Sequence, residues 1–352
     1  MTILVVGDHF IPAECYIDAL RDVGIERSGV RTVDWAGTKA EQHAAQQVME
    51  QRGPSEVERP DEVLDAVGDA QVLALHFAPV PAAVLDTGRA LRAVVVARTG
   101  LENVDIDAAT SRGIAVVPVH GRNASAVAEL AIGLMLSEAR DIARADASVK
   151  AGGWRKDFGG PGREIGGSTV GLVGFGHVGR ELARKLRGFD ARLLVHDPFV
   201  DDAVLRAHGA RQVDLDTVFS ESDFVQVLAR LTPETERFIT AEHFALMRPT
   251  AYFVNTSRSR LVDYDALYLA CKEHRIAGAA LDVFDAEPLA ADSPWRRLDN
   301  VTLTTHFAGD TTTTISRSAH LVAEAIAELG RTGRISTAIN ADALHGDAGN
   351  RA

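Results

Sequence analysis

The sequence predicts an α/β protein built from two doubly wound parallel-sheet units, and three observations carry that prediction. The first is length: 352 residues exceed one ordinary domain and give each of two enough chain to bury its own core. The second is rhythm, because apolar runs of strand length alternate with helix-like stretches along the chain, the texture of buried parallel strands joined by crossover helices. The third is a glycine-rich turn, GLVGFGHVG at 171–179, that stands in mid-chain with such runs on both sides.

Before the turn the runs are TILVVG, QVLAL, RAVVVA and IAVVPV; after it they are ARLLVHD, DFVQVLA, AYFVNTS, AGAALDVF and NVTLTT. From about Asn123 to Ala151, Val127, Leu130, Leu134 and Met135 fall at helical spacing, and the stretch has the length of one connector helix. Glu129 within it reads as a hydrogen-bonded residue at a packed interface, because a lone buried carboxylate would be costly. The segment AGGWRKDFGGPGREIGG that follows is too rich in glycine for a helix or strand, so it reads as loop and as the best boundary marker. A second helix is expected over about Thr312–Leu329, and the tail over 346–352 reads as frayed.

Composition narrows the class. With 46% hydrophobic and 24% charged residues the chain reads as globular, and no run of 18 or more uncharged apolar residues suggests a membrane span. The start, MTILVVGDHF, meets Asp8 without a basic region and reads as a first strand, not a signal peptide, so the cytoplasm is the expected compartment. Cys15 and Cys271 are the only cysteines and give neither a disulfide framework nor metal-ligand spacing, so no metal is expected. A net charge of -12 argues against a nucleic-acid partner, whose phosphates are neutralised by Lys and Arg, but leaves room for a local basic pocket for a small anion.

The turn gains meaning from its context. Val170–Val173 leads in as a strand, and a helix with Leu182, Ala183 and Leu186 on one face leads out. A second strand, ARLLVHD, then ends in Asp197. This is the dinucleotide-binding pattern: Gly174 for a tight turn, Gly176 for close backbone approach to a pyrophosphate, and Gly179 for close helix–strand packing. The helix N-terminal N–H groups around His177 and Val178 face the anion. Asp197 accepts from ribose hydroxyls and repels a 2′-phosphate, and PFVDD after it adds more negative charge without an Arg, so NAD is favoured over NADP. The plainer alternative for Asp197 is a turn residue before Pro198.

Three polar residues end successive strand-like runs, where ligands collect in open α/β sheets: Arg258 after AYFVNTS, Glu287 after AALDVFDA and His306 after NVTLTT. Each alone has an ordinary reading, as a surface ion pair, a turn acid before Pro288 and one of 12 histidines. Together they supply what hydride transfer at a hydroxyl carbon needs. An imidazole moves the hydroxyl proton, a carboxylate on its other nitrogen fixes the tautomer, and a guanidinium holds a carboxylate and polarises the carbonyl.

These segments, with LTPET, MRP…VNTSR…LVD…AL, AGAALDVFDAEPL and NVTLTTHFAG, resemble the NAD-dependent D-isomer-specific 2-hydroxyacid dehydrogenases, the family of phosphoglycerate, glycerate and D-lactate dehydrogenases. RTGLENVDIDAATSRGIAVVPVHGRNASAVAELAIGLML is similar to the family's segment joining its two domains. The resemblance implies a Rossmann-like cofactor domain, 121–314, inserted into a flavodoxin-like substrate domain made of 1–120 and 315–345, which explains a glycine turn in mid-chain. It implies a substrate cleft between the domains and a homodimer formed through the cofactor domains. It also implies that Arg258, Glu287 and His306 are catalytic, that Thr232, Thr256, Asp282 and His306 contact the cofactor, and that the backbone around Thr99, Gly100 and Leu101 binds the substrate carboxylate.

Some positions depart from the family pattern. Ser259 stands where glycine usually follows the Arg and is expected to narrow the approach to the cofactor; Thr305 stands where proline usually precedes the His and is expected to free its loop. His76 and Phe77 in LHFAPV occupy the substrate-site position where phosphoglycerate-type members carry Arg, so a phosphorylated substrate loses its most obvious clamp. Arg98, Arg122 and Arg155 are possible anion holders with an ordinary reading as solvated or ion-paired arginines, and Trp154 reads as packing the hinge. The leading expectation is an oxidoreductase acting on a small D-2-hydroxy or 2-keto acid with NAD(H). The alternatives are an NADH-responsive, corepressor-like binding protein and a phosphoglycerate-type or phosphite-type dehydrogenase.

Overall fold

The computed structural model describes residues 1–341, so the tail expected over 346–352 lies outside the described residues. The chain divides into two compact units, one of Met1–Arg122 with the chain from Thr311 onward, the other of Asn123–Asp310.

The first unit carries a five-stranded parallel sheet of β1 (Ile3–Gly7), β2 (Val30–Asp34), β3 (Val72–Leu75), β4 (Ala93–Val96) and β5 (Ala115–Pro118), in the order β2-β1-β3-β4-β5. Four of these strands are buried at every residue, which is why they read as unbroken apolar runs. The fifth, β2, was missing from those runs: its sequence VRTVD mixes charge with two half-buried valines, and only in-register pairing with β1 makes it a strand. Helix Thr312–Thr332 returns to this unit, where Val322, Ala323 and Ile326 share a core with Tyr16 and Leu20 of helix Ala13–Asp22. Asn340 fixes the chain beyond it, accepting from Val116 N and donating to Thr110 Oγ1 and Ile114 O.

The second unit carries seven parallel strands, β6 (Thr169–Val173), β7 (Arg192–His196), β8 (Ala210–Gln212), β9 (Phe224–Val227), β10 (Tyr252–Asn255), β11 (Gly278–Leu281) and β12 (Val301–Leu303), in the order β12-β11-β10-β9-β6-β7-β8. The chain winds outward from β6 in both directions, so the order reverses between β6 and β9, the position at which doubly wound sheets bind ligands. The short edge strand β8, ARQ, is the other strand absent from the sequence reading.

The single connector helix expected over 123–151 is two helices, Ala124–Ala139 and Ile142–Lys150, separated by Asp141 at a left-handed φ of 54°. The cause is a buried charge. Glu138 is buried and ion-paired with Arg144 at 2.6 Å, and Arg144 also holds Asp141 at 3.1 Å. Six residues along an unbroken helix turn through about 240°, which would carry Arg144 away from Glu138. The break returns the guanidinium to the carboxylate. Two single-residue readings also need correction. Glu129 is exposed and paired with Lys185 at 2.7 Å, and Trp154 is 76% exposed, so it does not pack a hinge.

Candidate active site

At the end of β6, Gly174 takes φ +100°, and a Cβ there would stand 2.7 Å from the backbone nitrogen of Ala229, just past β9. Gly179, in the first turn of helix His177–Leu186, leaves no room for a Cβ either, which would lie 2.9 Å from the Gly174 carbonyl oxygen. Gly176 differs: it is exposed, and nothing lies within 4 Å of its Cβ position. No part of the chain requires glycine there, so its smallness answers to something that approaches from outside.

Asp197, at the end of β7, faces this turn. Its Oδ2 accepts from Phe175 N at 2.7 Å and its Oδ1 from Phe199 N at 2.9 Å, which fixes the carboxylate and leaves lone pairs for two ribose hydroxyls. Thr232 caps a local turn after β9 with Thr235, and Thr256, just past β10, has a buried Oγ1 without a hydrogen-bond partner among the described residues. An open glycine, a helix N-terminus beginning at His177 and Val178, a fixed carboxylate and an orphaned hydroxyl together fit a dinucleotide without a 2′-phosphate.

The candidate acid–base residues gather at the same edge of the same sheet. Glu287 Oε2 lies 2.7 Å from His306 Nδ1, while its Oε1 accepts from Phe284 N at 2.9 Å. Burial pushes the Glu287 carboxyl up, but the His306 hydrogen bond, the Phe284 N–H and the positive charges of His306 and Arg258 prevail and hold it below the usual range. His306 itself sits at φ 56°, a conformation that costs a residue with a side chain about 1–3 kcal/mol and recurs at functional sites. It is held there by Asp282, which is fully buried and accepts from Thr304 Oγ1 at 2.6 Å, Phe307 N at 3.2 Å and Ala308 N at 3.1 Å. The loop therefore gets from Asp282 the constraint that Thr305 was expected to forfeit, and the Asp282 carboxylate serves the loop in addition to any cofactor role. Arg258 is exposed after β10, and its carbonyl is fixed by Asn255 Nδ2 at 3.1 Å. Ser259, beside it, is buried.

Asn255, Tyr264 and Thr304 escaped the sequence reading. Asn255 also donates to Tyr264 Oη, and Tyr264 donates to the Val283 carbonyl at 2.7 Å, tying the Arg258 loop to the strand that leads to Glu287. The one available signal was a polar residue closing an apolar run, as in YFVN.

In the first unit, His76 and Phe77 follow β3, and Thr99, Gly100 and Leu101 follow β4. Asn103 joins the two loops by donating to the His76 and Ala78 carbonyls. Burial pushes the His76 imidazole down to about 4, against the pull of the Asp8 carboxylate. An unfolded His76, at 6.5, takes up a proton that the folded one refuses. This contribution to stability is therefore present above pH 6.5 and lost as pH falls towards 4, amounting to about 3 kcal/mol. Melting temperature measured across that window should fall for the natural protein and fall less steeply for His76→Gln; parallel curves would show that His76 is not the group responsible.

A cavity of about 680 Å³ opens at the opposite edge of the second sheet, where β6, β7 and β8 begin, lined by residues that include Arg192, Arg211 and Arg248. Its lining includes none of the candidate catalytic, cofactor-binding or substrate-binding residues.

Comparison with known proteins shows the family. A model of the family "D-isomer specific 2-hydroxyacid dehydrogenase, NAD binding domain" matches residues 132–308. The chain is 39% identical over 262 residues to D-3-phosphoglycerate dehydrogenase of Archaeoglobus fulgidus, a match covering 74% of this chain and 49% of the other. It is 38% identical over 275 residues to hydroxypyruvate reductase of Thermotoga maritima, covering 77% of this chain and 88% of the other. The chain thus spans about half the length of the phosphoglycerate dehydrogenase and most of the hydroxypyruvate reductase. Among solved structures, D-lactate dehydrogenase from Escherichia coli is similar with a TM-score of 0.69 and 27% identity, covering 96% of this chain and 100% of the other. By the residues matched and the relatives shared, the chain belongs to the family of D-isomer-specific 2-hydroxyacid dehydrogenases, whose cofactor is NAD.

Proposed function

We propose that the protein interconverts a small D-2-hydroxy acid and the corresponding 2-keto acid. The observation that carries this reading is the 2.7 Å pair of Glu287 and His306 at the sheet edge that also holds the glycine turn. When bound, NAD(H) supplies or accepts the hydride. His306 Nε2 gives a proton to the carbonyl oxygen during reduction and takes it from the hydroxyl during oxidation, since Nδ1 is engaged by Glu287. The ionised Glu287 fixes the tautomer and stabilises the imidazolium, and Arg258 binds the substrate carboxylate or polarises its carbonyl. The backbone N–H groups around Thr99, Gly100 and Leu101 are assigned to the substrate carboxylate, and His76 and Phe77 to its side chain. Asp197 gives preference for NAD over NADP.

We assign the protein to the cytoplasm, where its two free thiols persist, and to a homodimer formed through the second unit. Ile142, Val149 and Trp154 of that unit are exposed apolar residues on and just after one helix, a face suited to a second copy. Analytical ultracentrifugation should find a dimer that Trp154→Ala weakens; a monomer at micromolar concentration would exclude it. Among the described residues no helix is long and apolar enough to cross a membrane.

The deciding experiment follows NADH consumption with glyoxylate, pyruvate, hydroxypyruvate, 3-phosphohydroxypyruvate and four-carbon sugar-derived 2-keto acids. Turnover on one of them supports the dehydrogenase. Tight NADH binding without turnover on any would favour the NADH-responsive binding protein.

A further inference from the structure

Four polar side chains of the first unit lie within electrostatic reach of one another at the carboxyl edge of its sheet, around the reversal of strand order between β1 and β3. Asp8 follows β1, His76 follows β3, Arg122 lies beyond β5, and Tyr16 belongs to the helix after β1. Two of them are buried with unmet polar atoms. Tyr16 is 1% exposed and its Oη has no hydrogen-bond partner among the described residues; His76 is 3% exposed and neither ring nitrogen has one. His76 Nδ1 lies 3.3 Å from Asp8 Oδ2 but out of line for a hydrogen bond. Asp8 is otherwise occupied, accepting from the backbone of Phe10, Ile11 and Phe77.

The arginines separate in the same way. Arg98 is taken up by Glu50 at 3.1 Å and Glu102 at 3.3 Å, and Arg155 by Asp299 at 2.7 Å. Arg122 is half-buried, and its hydrogen bond to Ser318 Oγ is a long 3.4 Å; among the described residues it forms no ion pair with a carboxylate within 4.0 Å. Buried hydroxyls and imidazoles are nearly always partnered, so this concentration of unmet donors and acceptors at a topological switch point marks where an outside group belongs. Asp8 is anionic, Arg122 cationic and His76 neutral at pH 7, and the other guanidinium within electrostatic reach, Arg98, is already neutralised by Glu50 and Glu102. A dianionic phosphate would face Asp8. A hydroxyl both donates and accepts, as do the phenol and the neutral imidazole.

We infer that Tyr16, His76 and Arg122 form a subsite for hydroxyl groups on the substrate's tail, so that the substrate is a polyhydroxylated sugar acid and not a phosphate ester, a dicarboxylate or an alkyl acid. The inference rests on the dehydrogenase reading for its place in catalysis. It is tested by the ratio of kcat/KM for a four-carbon sugar-derived 2-keto acid to that for glyoxylate, which has no tail. Tyr16→Phe and Arg122→Gln should each lower this ratio about tenfold, the scale of one lost hydrogen bond at a desolvated site. Tyr16→Phe should also leave the ligand-free melting temperature unchanged or higher, because its hydroxyl has no hydrogen-bond partner among the described residues; a lowered melting temperature would show a structural role. An unchanged ratio, or preference for 3-phosphohydroxypyruvate or oxaloacetate, overturns the subsite. If no keto acid is turned over, glyoxylate included, the dehydrogenase reading fails on its own, and calorimetric titration with gluconate, malate and 3-phosphoglycerate judges the subsite separately. Gluconate binding that Tyr16→Phe weakens about tenfold sustains it; no gluconate binding, or tighter binding of the phosphate, overturns it.

Discussion

His306→Asn should lower kcat for keto-acid reduction by about a thousandfold or more, while affinity for NADH changes far less. Asparagine has the size to sit in the loop and tolerates a left-handed backbone better than most residues, so the φ of 56° at this position is no obstacle to folding. What is lost is the group that passes a proton to the carbonyl oxygen. Glu287→Gln should be milder, about ten- to a hundredfold in kcat, because the imidazole remains but its anionic partner does not. Stopped-flow single turnovers, with NADH binding measured separately by fluorescence, check both variants. A His306→Asn enzyme within tenfold of the natural rate would remove His306 from the chemistry.

The second large effect separates two glycines that look alike in sequence. Gly174→Ala places a Cβ at φ +100° and 2.7 Å from the Ala229 nitrogen, a backbone atom that cannot swing aside. Backbone strain and overpacking together should cost about 3–5 kcal/mol, a large share of a typical native stability and enough to lower the melting temperature clearly. Gly176→Ala meets nothing within 4 Å and should fold with a near-natural melting temperature, yet bind NADH at least about tenfold more weakly, because the added methyl stands where the pyrophosphate approaches. Thermal melts and NADH titration of the pair give the answer. Natural NADH affinity in Gly176→Ala would mean that no ligand comes close to that residue.

Hydrophobic continuity made ten of the twelve strands legible, because a strand buried on both faces has no polar positions to blur its pattern. The two that escaped, β2 and β8, are sheet edges, and their sequences are half polar because one side of an edge strand meets solvent. The acid–base pair was legible for another reason: Glu287 and His306 each end a strand-like run, and parallel strands bring their carboxyl ends to one side. The support beneath them was not. Asp282 reads as one more strand-end acid until Phe307 and Ala308 fold their N–H groups onto it, and Asn255 reads as a polar stop until Tyr264 reaches it from a helix.

The sequence by itself determined the α/β class, the mid-chain glycine turn and the match to an NAD-binding family, since each rests on residue type and local spacing. Tertiary structure decided what depends on partners distant in sequence. Glu138 and Arg144 break the connector helix, Asp282 sets the His306 loop, carboxylates occupy Arg98 and Arg155, and the buried Tyr16 hydroxyl is left without a hydrogen-bond partner among the described residues. The physical reason is common to all of them. A charge or hydrogen-bonding group acquires its role from what burial leaves within about 3 Å of it, and local spacing along a chain does not encode that neighbour.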